Sequence, residues 1–264
     1  SINFDRWFAS AGLAVTQNKE FGTHANGGVD LAYRPTNYSR MFLAANSAVR
    51  LPTFTDLYYQ SATQISNPNL KPEKSTTFEL GTIINPRRYT LTATVYYRNG
   101  KNIIDWVKQP DATKWESRNL TEVNAYGMDM GFEYRFENSF VKSTGVKYAY
   151  LTLDKAASGY DSKYALDYLK HKLIVNLNHA IWSKLSANWS YALYDRSGTY
   201  TDSKSNAAME YTPYGLLNTK LTWNADKILL FAEVNNLLNE QYIEFGGIAQ
   251  PGIHINLGLR LSIF

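Results

Sequence analysis

The chain has 264 residues, no cysteine and a formal net charge of +4 at pH 7. Charged residues make up 19% and aromatics 14%, with 20 tyrosines. This balance is too apolar and too aromatic for disorder, and without cysteine there is no disulfide framework, zinc-thiolate site or cysteine nucleophile. A charge of +4 with no Lys/Arg block argues against nucleic acid as a partner. No stretch approaches the about 18 consecutive apolar residues of a membrane helix. The best run, Ile228-Leu229-Leu230-Phe231-Ala232, is closed by Glu233. The start, Ser1 to Arg6, has neither the basic opening nor the apolar stretch of a signal peptide. The chain is therefore expected to open inside structure, as a mature protein or as a piece of a longer one.

Tyr in excess beside Asn, Thr and Ser suits half-exposed strands, and period-two alternation recurs along the chain. Val29, Leu31 and Tyr33 open it. Tyr89, Leu91, Ala93, Val95 and Tyr97 alternate with Thr90, Thr92, Thr94, Tyr96 and Arg98. Tyr126, Met128, Met130, Phe132 and Tyr134 alternate with Gly127, Asp129, Gly131, Glu133 and Arg135. Leu173, Val175 and Leu177 follow, then Leu185, Ala187, Trp189, Tyr191 and Leu193. The last run is the clearest: Ile253, Ile255, Leu257, Leu259, Leu261 and Ile263, with polar residues or Gly between. Strict alternation means that one face meets an apolar medium and the other a polar one. The only helix candidate, 155–172, is weakened by Gly159 and a Tyr/Asp mixture.

The pattern predicts about twelve strands, near 5–17, 27–36, 38–50, 75–86, 88–98, 118–136, 139–153, 167–180, 183–195, 212–224, 226–235 and 252–264. Many have the roughly 9–11 residues that a tilted strand needs to cross a bilayer. Their connections alternate. Short turns fall at Pro35-Thr36-Asn37, Asn85-Pro86-Arg87, Glu137-Asn138, Ile181-Trp182 and Ala225. Long polar segments fall at 18–26, 51–74, 99–117, 154–166, 196–211 and 236–251. The expected fold is thus all-β, an antiparallel up-and-down transmembrane β-barrel. Its apolar face meets lipid and its polar face a lumen. Trp189, Tyr191, Tyr97, Tyr89, Tyr134 and Trp223 lie on the apolar face as an aromatic girdle.

Three sequence pieces add detail. Arg50-Leu51-Pro52-Thr53-Phe54-Thr55-Asp56-Leu57-Tyr58 closes a strand and opens a long loop. Asn67-Pro68-Asn69-Leu70-Lys71-Pro72-Glu73-Lys74 leads into Thr77-Phe78-Glu79-Leu80-Gly81. Val234-Asn235-Asn236-Leu237-Leu238-Asn239-Glu240-Gln241-Tyr242 precedes Gln250-Pro251-Gly252 and the last strand. Pro52, Pro68 and Pro72 cannot donate to a ladder and belong outside the sheet. Asn67 and Asn69 suit turns, while Lys71, Glu73 and Lys74 are expected at a solvated rim. Asn235, Asn236 and Asn239 mark where a strand leaves the membrane.

In this order, these pieces resemble the C-terminal half of TonB-dependent outer-membrane receptors. The resemblance implies that residues 1–264 are the C-terminal portion of a barrel, the last twelve of 22 strands, in the outer membrane of a Gram-negative bacterium. It also implies an N-terminal plug that this chain lacks. The expected partners are outer-membrane lipid, the missing N-terminal half in the same protein or a second chain, an inner-membrane energy-coupling protein acting through the plug, and a surface lipoprotein. The segment 241–252 looks most like cobalamin receptors, with ferric-siderophore receptors close behind. One departure is Phe264, aromatic and terminal but out of phase with Leu259, Leu261 and Ile263. A free-standing twelve-strand porin is the alternative reading.

Catalytic signatures are absent: no Gly-rich phosphate loop, no His-Glu-x-x-His and no Gly-x-Ser-x-Gly. No cofactor is implied, and His24, His171, His179 and His254 read as lumen or loop residues rather than metal ligands. Binding is the better reading. The predicted loops hold Tyr58, Tyr59, Trp106, Trp115, Tyr200, Tyr242 and Phe245, rings that could cap a large flat ligand. Glu79, Asp129, Glu133, Lys147 and Arg260 fall on the polar face, where the resemblance implies contact with the plug.

Overall fold

The computed structural model describes residues 1–109, 111–155, 159–163, 167–202, 205, 207–225, 227–244 and 247–262. The elements in chain order are β1 (Ile2–Phe4), β2 (Trp7–Asn18), β3 (Gly22–Thr36), β4 (Ser39–Arg50), α1 (Phe54–Tyr58), β5 (Gln64–Ile65), β6 (Glu73–Ile84), β7 (Tyr89–Lys108), β8 (Trp115–Arg135) and β9 (Val141–Lys155). They continue with β10 (Asp161–Ser162), β11 (Tyr168–Trp182), β12 (Leu185–Ser197), β13 (Thr199–Thr201), β14 (Ala208–Glu210), β15 (Tyr214–Ala225), β16 (Ile228–Asn235), β17 (Ile243–Glu244), β18 (Ile248–Ala249) and β19 (His254–Leu261). The principal sheet runs β1-β2-β3-β4-β6-β7-β8-β9-β11-β12-β15-β16-β19. Each strand lies beside the next long strand in sequence, which is the up-and-down order. Twelve of these match the expected strands; the short arm β1 is the addition.

Two compact units divide the fold: 1–83 with 93–128 and 151–168, and 84–92 with 129–150 and 169–264. In the first unit the register sets Leu31 opposite Leu43, Val29 opposite Ala45 and Ala9 opposite Leu31. Residues directly opposite share a face, so the alternating apolar residues form one continuous surface. It is uncovered: Leu13 is 77% exposed, Val29 56% and Leu43 50%. The second unit repeats this, with Leu230 opposite Leu259, Ala232 opposite Leu257 and Val234 opposite Ile255. Leu257 is 78% exposed. A fold built for water would bury such rows. The clusters that are buried, Leu57–Leu70–Ile104 and Val107–Leu120–Val123, involve the loop-bearing strand ends and the long loop instead.

The opposite face is polar, and glycine shapes it. On the first unit Phe42 lies over Gly81, where a Cβ would stand 2.4 Å from its ring. On the second, Phe231 covers Gly258 in the same way, and the Lys220 ammonium sits 4.5 Å from the Phe231 centroid. In both places the missing Cβ leaves room for a ring.

Several expected loops fold as strand. The segment 18–26 is mostly ladder: Thr16 pairs with His24 and Leu13 with Gly27. Only residues 19–21 turn, because Asn18 Oδ1 accepts from the Glu20 and Phe21 amides and Gly22 takes φ +79°. The segment 99–117 is also largely strand, since β7 and β8 run 20 and 21 residues. Val107, Leu120 and Val123 bury one another there and reward the extension. The segments 196–211 and 236–251 carry the ribbons β13–β14 and β17–β18. Where described, 155–172 holds strand rather than helix, and the α-helix among the described residues is the five-residue α1. Phe264 lies outside the described residues.

Candidate functional site

In the first unit, the long loop after β4 is fastened by charge. Arg50 donates through Nε to Glu73 Oε2 at 2.8 Å and through Nη2 to Glu73 Oε1 at 2.5 Å. Its Nη1 reaches Asp56 Oδ2 at 3.4 Å. Asp56 also caps α1: Thr53 Oγ1 accepts from the Asp56 amide, and Asp56 Oδ2 accepts from the Thr53 amide. Glu73 Oε1 takes the Ile104 amide at 2.6 Å. Ser117, fully buried, donates to the Asp56 carbonyl and accepts from the Asn67 amide. Asn119 exchanges hydrogen bonds with the backbone of Lys71. Two of the sequence pieces therefore meet here, at Arg50 and Glu73. Glu73 is not a solvated rim residue; it is 9% exposed and paired.

Alongside, Asp105 is 1% exposed, takes a short hydrogen bond from Ser162, and accepts from the Trp106 amide. Burial and then the nearby Asp105 carboxylate push the Tyr160 phenol above its ordinary range.

The second unit holds an aromatic ledge. Tyr194 and Tyr214 face each other across β12 and β15, on the face of Ala192 and Leu216 rather than that of Tyr191 and Leu217. Their rings stack at 5.1 Å, and Tyr242 stacks on Tyr214 at 4.4 Å. Tyr214 Oη donates to Glu244 Oε1 at 3.1 Å, and the Lys172 ammonium lies 5.6 Å over Tyr194. Burial first, and Glu244 second, raise the Tyr242 phenol above its ordinary range. Asn236, 3% exposed at φ +53°, holds the loop that carries Tyr242. It donates to the Glu240 carbonyl and accepts from the Glu240 amide, while its own amide donates to Asn218. Asn239 Oδ1 accepts from Ile253, and a Cβ on Gly252 would stand 2.4 Å from that oxygen. The asparagines build the turn and are consumed by it.

The expected ring residues separate. Tyr58 and Tyr59 are exposed at the end of α1. Trp106 is not an exposed loop ring: it lies within β7 and is 5% exposed. Trp115 starts β8, with the Lys108 and Lys163 ammoniums 5.4 and 5.7 Å over its ring. Tyr200, in β13, packs 5.1 Å from Tyr211. Tyr242 joins the ledge, and Phe245 lies outside the described residues. Glu79, Asp129, Glu133, Lys147 and Arg260 alternate with the exposed apolar rows; Lys147 pairs with Ile174 where Val146 pairs with Val175. Arg260 likewise stands opposite Leu229.

The family description "TonB dependent receptor-like, beta-barrel" matches residues 1–237. The chain belongs to that family. A vitamin B12 transporter, BtuB, of Vibrio vulnificus is 26% identical over 134 residues, 51% of this chain and 21% of that protein. BtuB of Photobacterium profundum is 24% identical over 250 residues, 90% of this chain and 38% of that protein. The crystal structure of the siderophore receptor PirA from Pseudomonas aeruginosa superposes with a TM-score of 0.74 at 14% identity, covering 99% of this chain and 44% of that one. The chain thus spans less than half the length of these proteins.

For a TonB-dependent receptor barrel, the uncovered apolar rows and opposing polar face are what the architecture requires. Sequence reasoning missed Arg50 as the shared partner of Glu73 and Asp56, and it missed Tyr194, Tyr214 and Glu244. The capping pattern Thr53-x-x-Asp56 was a readable signal. The others are brought together by strand pairing and by the return of the loop after β16.

Proposed function

We propose that this chain supplies barrel wall and external loop surface to an outer-membrane receptor for energy-coupled uptake of a large, scarce nutrient. The ligand class is a cobalamin-type molecule or a ferric siderophore. The observation that carries the reading is the Tyr194–Tyr214–Tyr242 ledge, set on the polar face at the end of the strands where the longer connections lie. Stacked rings backed by a carboxylate present a flat apolar surface with a polar edge, which suits a broad ring system or a catecholate. The relation to vitamin B12 transporters supports the cobalamin arm. The plug and the inner-membrane coupling protein would act through the remainder of the receptor, with Glu79, Asp129, Glu133, Lys147 and Arg260 facing the plug. Transport needs no catalytic group, and the reading assigns none.

Titrating the full-length receptor with cyanocobalamin and with ferric enterobactin, as wild type and Tyr242→Ala, tests this. One ligand should bind, and the variant should weaken it about tenfold, the value of one good aromatic contact. Binding of neither ligand removes both substrate classes. Equal binding by the variant removes the ledge.

A further inference from the structure

At the tight-turn edge of the second unit, cations gather around one turn. Residues 136–140 join β8 to β9, and Asn138 takes φ +53° there. The Phe136 amide donates to the Lys142 carbonyl at 2.9 Å, the Ala180 amide to the Phe140 carbonyl at 2.7 Å, and the Arg135 amide to the Arg88 carbonyl at 2.7 Å. These bonds tie the turn to β11 and to the residue that precedes β7. Glu137 then collects two guanidiniums: Arg87 Nε lies 3.3 Å from its Oε1, and Arg88 Nη2 lies 3.1 Å from its Oε2. On the same turn, Lys142 Nζ donates to the Ser139 carbonyl at 3.0 Å.

The balance of this cluster is positive. Arg87, Arg88 and Lys142 stand with one carboxylate, which leaves a net charge of +2. Glu133, the next acidic residue back along β8, is taken up by Arg135 at 3.0 Å. Each guanidinium offers more N–H donors than these contacts use. A second observation says what lies beside those donors. Phe136 packs edge-on to Tyr134 at 4.8 Å, and Phe140, 70% exposed, packs edge-on to His179. Trp189, in the apolar row of Tyr191 and Leu193, donates its indole N–H to His179 Nε2 at 3.1 Å. That bond satisfies two polar atoms at once, as a surface facing a medium poor in hydrogen-bonding partners requires. Exposed rings beside cations mark the border between acyl chains and headgroups.

We propose that this turn docks the phosphodiester headgroup of an anionic membrane phospholipid. The phosphate takes the open N–H donors of Arg87 and Arg88 and the Lys142 ammonium, while Glu137 holds the two guanidiniums together. The acyl chains follow the rings of Phe136 and Phe140 onto the apolar rows. A zwitterionic headgroup brings its own ammonium against three cations and gains less. The inference rests on reading the apolar rows as lipid-facing. It shares no residue with the tyrosine ledge and does not depend on which nutrient binds there.

The test is native mass spectrometry of the full-length receptor in detergent, with phosphatidylglycerol or phosphatidylethanolamine of matched acyl chains added. An uncompensated cation near an anionic headgroup is worth about fivefold, so wild type should retain phosphatidylglycerol about twentyfold better. Arg87→Gln or Lys142→Gln alone should cut that preference about fivefold, and the two together should abolish it. Lys19→Gln with Lys101→Gln removes the same charge at the loop-bearing strand ends and should leave the preference intact. Equal retention of both lipids by wild type, a preference unchanged in the turn variants, or an equal loss in the Lys19 and Lys101 control overturns the proposal. Displacement of the retained lipid by free glycerol phosphate would also overturn it, by making the site one for a soluble anion. Failure of the wild-type receptor to insert into liposomes would instead overturn the lipid-facing reading itself.

Discussion

Two loop-bearing regions solve one problem with different chemistry. After β4, the chain leaves the sheet and is held by ions: Arg50 clamps Glu73 and touches Asp56, and each carboxylate also accepts backbone amides. After β16, the chain leaves the sheet and is held by amides and rings: Asn236 and Asn239 bind backbone, and Tyr242 stacks on Tyr214. The first device concentrates its energy in one half-exposed guanidinium. The second spreads it over several neutral contacts of about 1 kcal/mol each. The first should therefore fail sharply at one residue, and the second by degrees.

The largest expected effect is at Glu73. Glu73→Ala strips Arg50 of its bidentate partner and leaves the Ile104 amide without an acceptor. Loss of one partner of a buried pair costs about 3–5 kcal/mol; with Arg50 half exposed, the low end applies. Amide exchange at residues 53–58 and 104 of the full-length receptor should accelerate about a hundredfold or more. Exchange unchanged there would mean that capping and Ser117 suffice, and the contrast between the regions would collapse.

Next comes Asn236. Asn236→Ala removes the bonds to Glu240 and forces a Cβ-bearing, non-Asn residue to φ +53°. The cost is about 2 kcal/mol, part from unmade hydrogen bonds and part from backbone strain. Asn236→Gly restores the backbone freedom and should recover roughly half of the loss in thermal stability. If Gly is as damaging as Ala, the hydrogen bonds carry the turn alone.

These two sites show what the sequence makes legible. Alternation revealed the strands because the two faces meet different media, and Leu257, Leu259 and Leu261 record that residue by residue. Asn236 and Asn239 could be recognised as turn residues because their chemistry acts over a few positions. Glu73 was misread because its partner is 23 residues away and is delivered by the sheet. Tyr194 and Tyr214 were invisible for the same reason: their stack is a matter of register, and a one-residue slip would move both rings to the other face. Trp106 went wrong because β7 runs for 20 residues, well past the roughly 9–11 that a bilayer-crossing strand needs; a strand that keeps pairing buries rings that a loop would expose.

A smaller effect separates hydrogen bond from stack within the ledge. Tyr214→Phe deletes the bond to Glu244 and keeps both ring contacts. It should cost about 1 kcal/mol and weaken nutrient binding no more than about fivefold. Tyr214→Ala, which removes the central ring, should weaken it by about tenfold or more. Equal losses in the two variants would place the function in the Glu244 contact instead of the rings.

The smallest effect is in pH. The Tyr242 phenol is raised from its ordinary value of 10.0, by burial first and by Glu244 second. A group that holds its proton more tightly when folded contributes stability that is fully present below the unfolded pKa. That stability is lost as pH rises through the folded pKa. Order in the loop carrying Tyr242 should therefore be flat up to about pH 10 and fall above it. Amide exchange at residues 240–244, corrected for its intrinsic pH dependence, reads this. Tyr242→Phe, which has no proton to lose, should flatten that part of the decline. The loop after β4 lacks such a phenol in its ionic clamp, so its protection should hold across the same range. A parallel decline in both loops would assign the loss to general alkaline unfolding rather than to Tyr242.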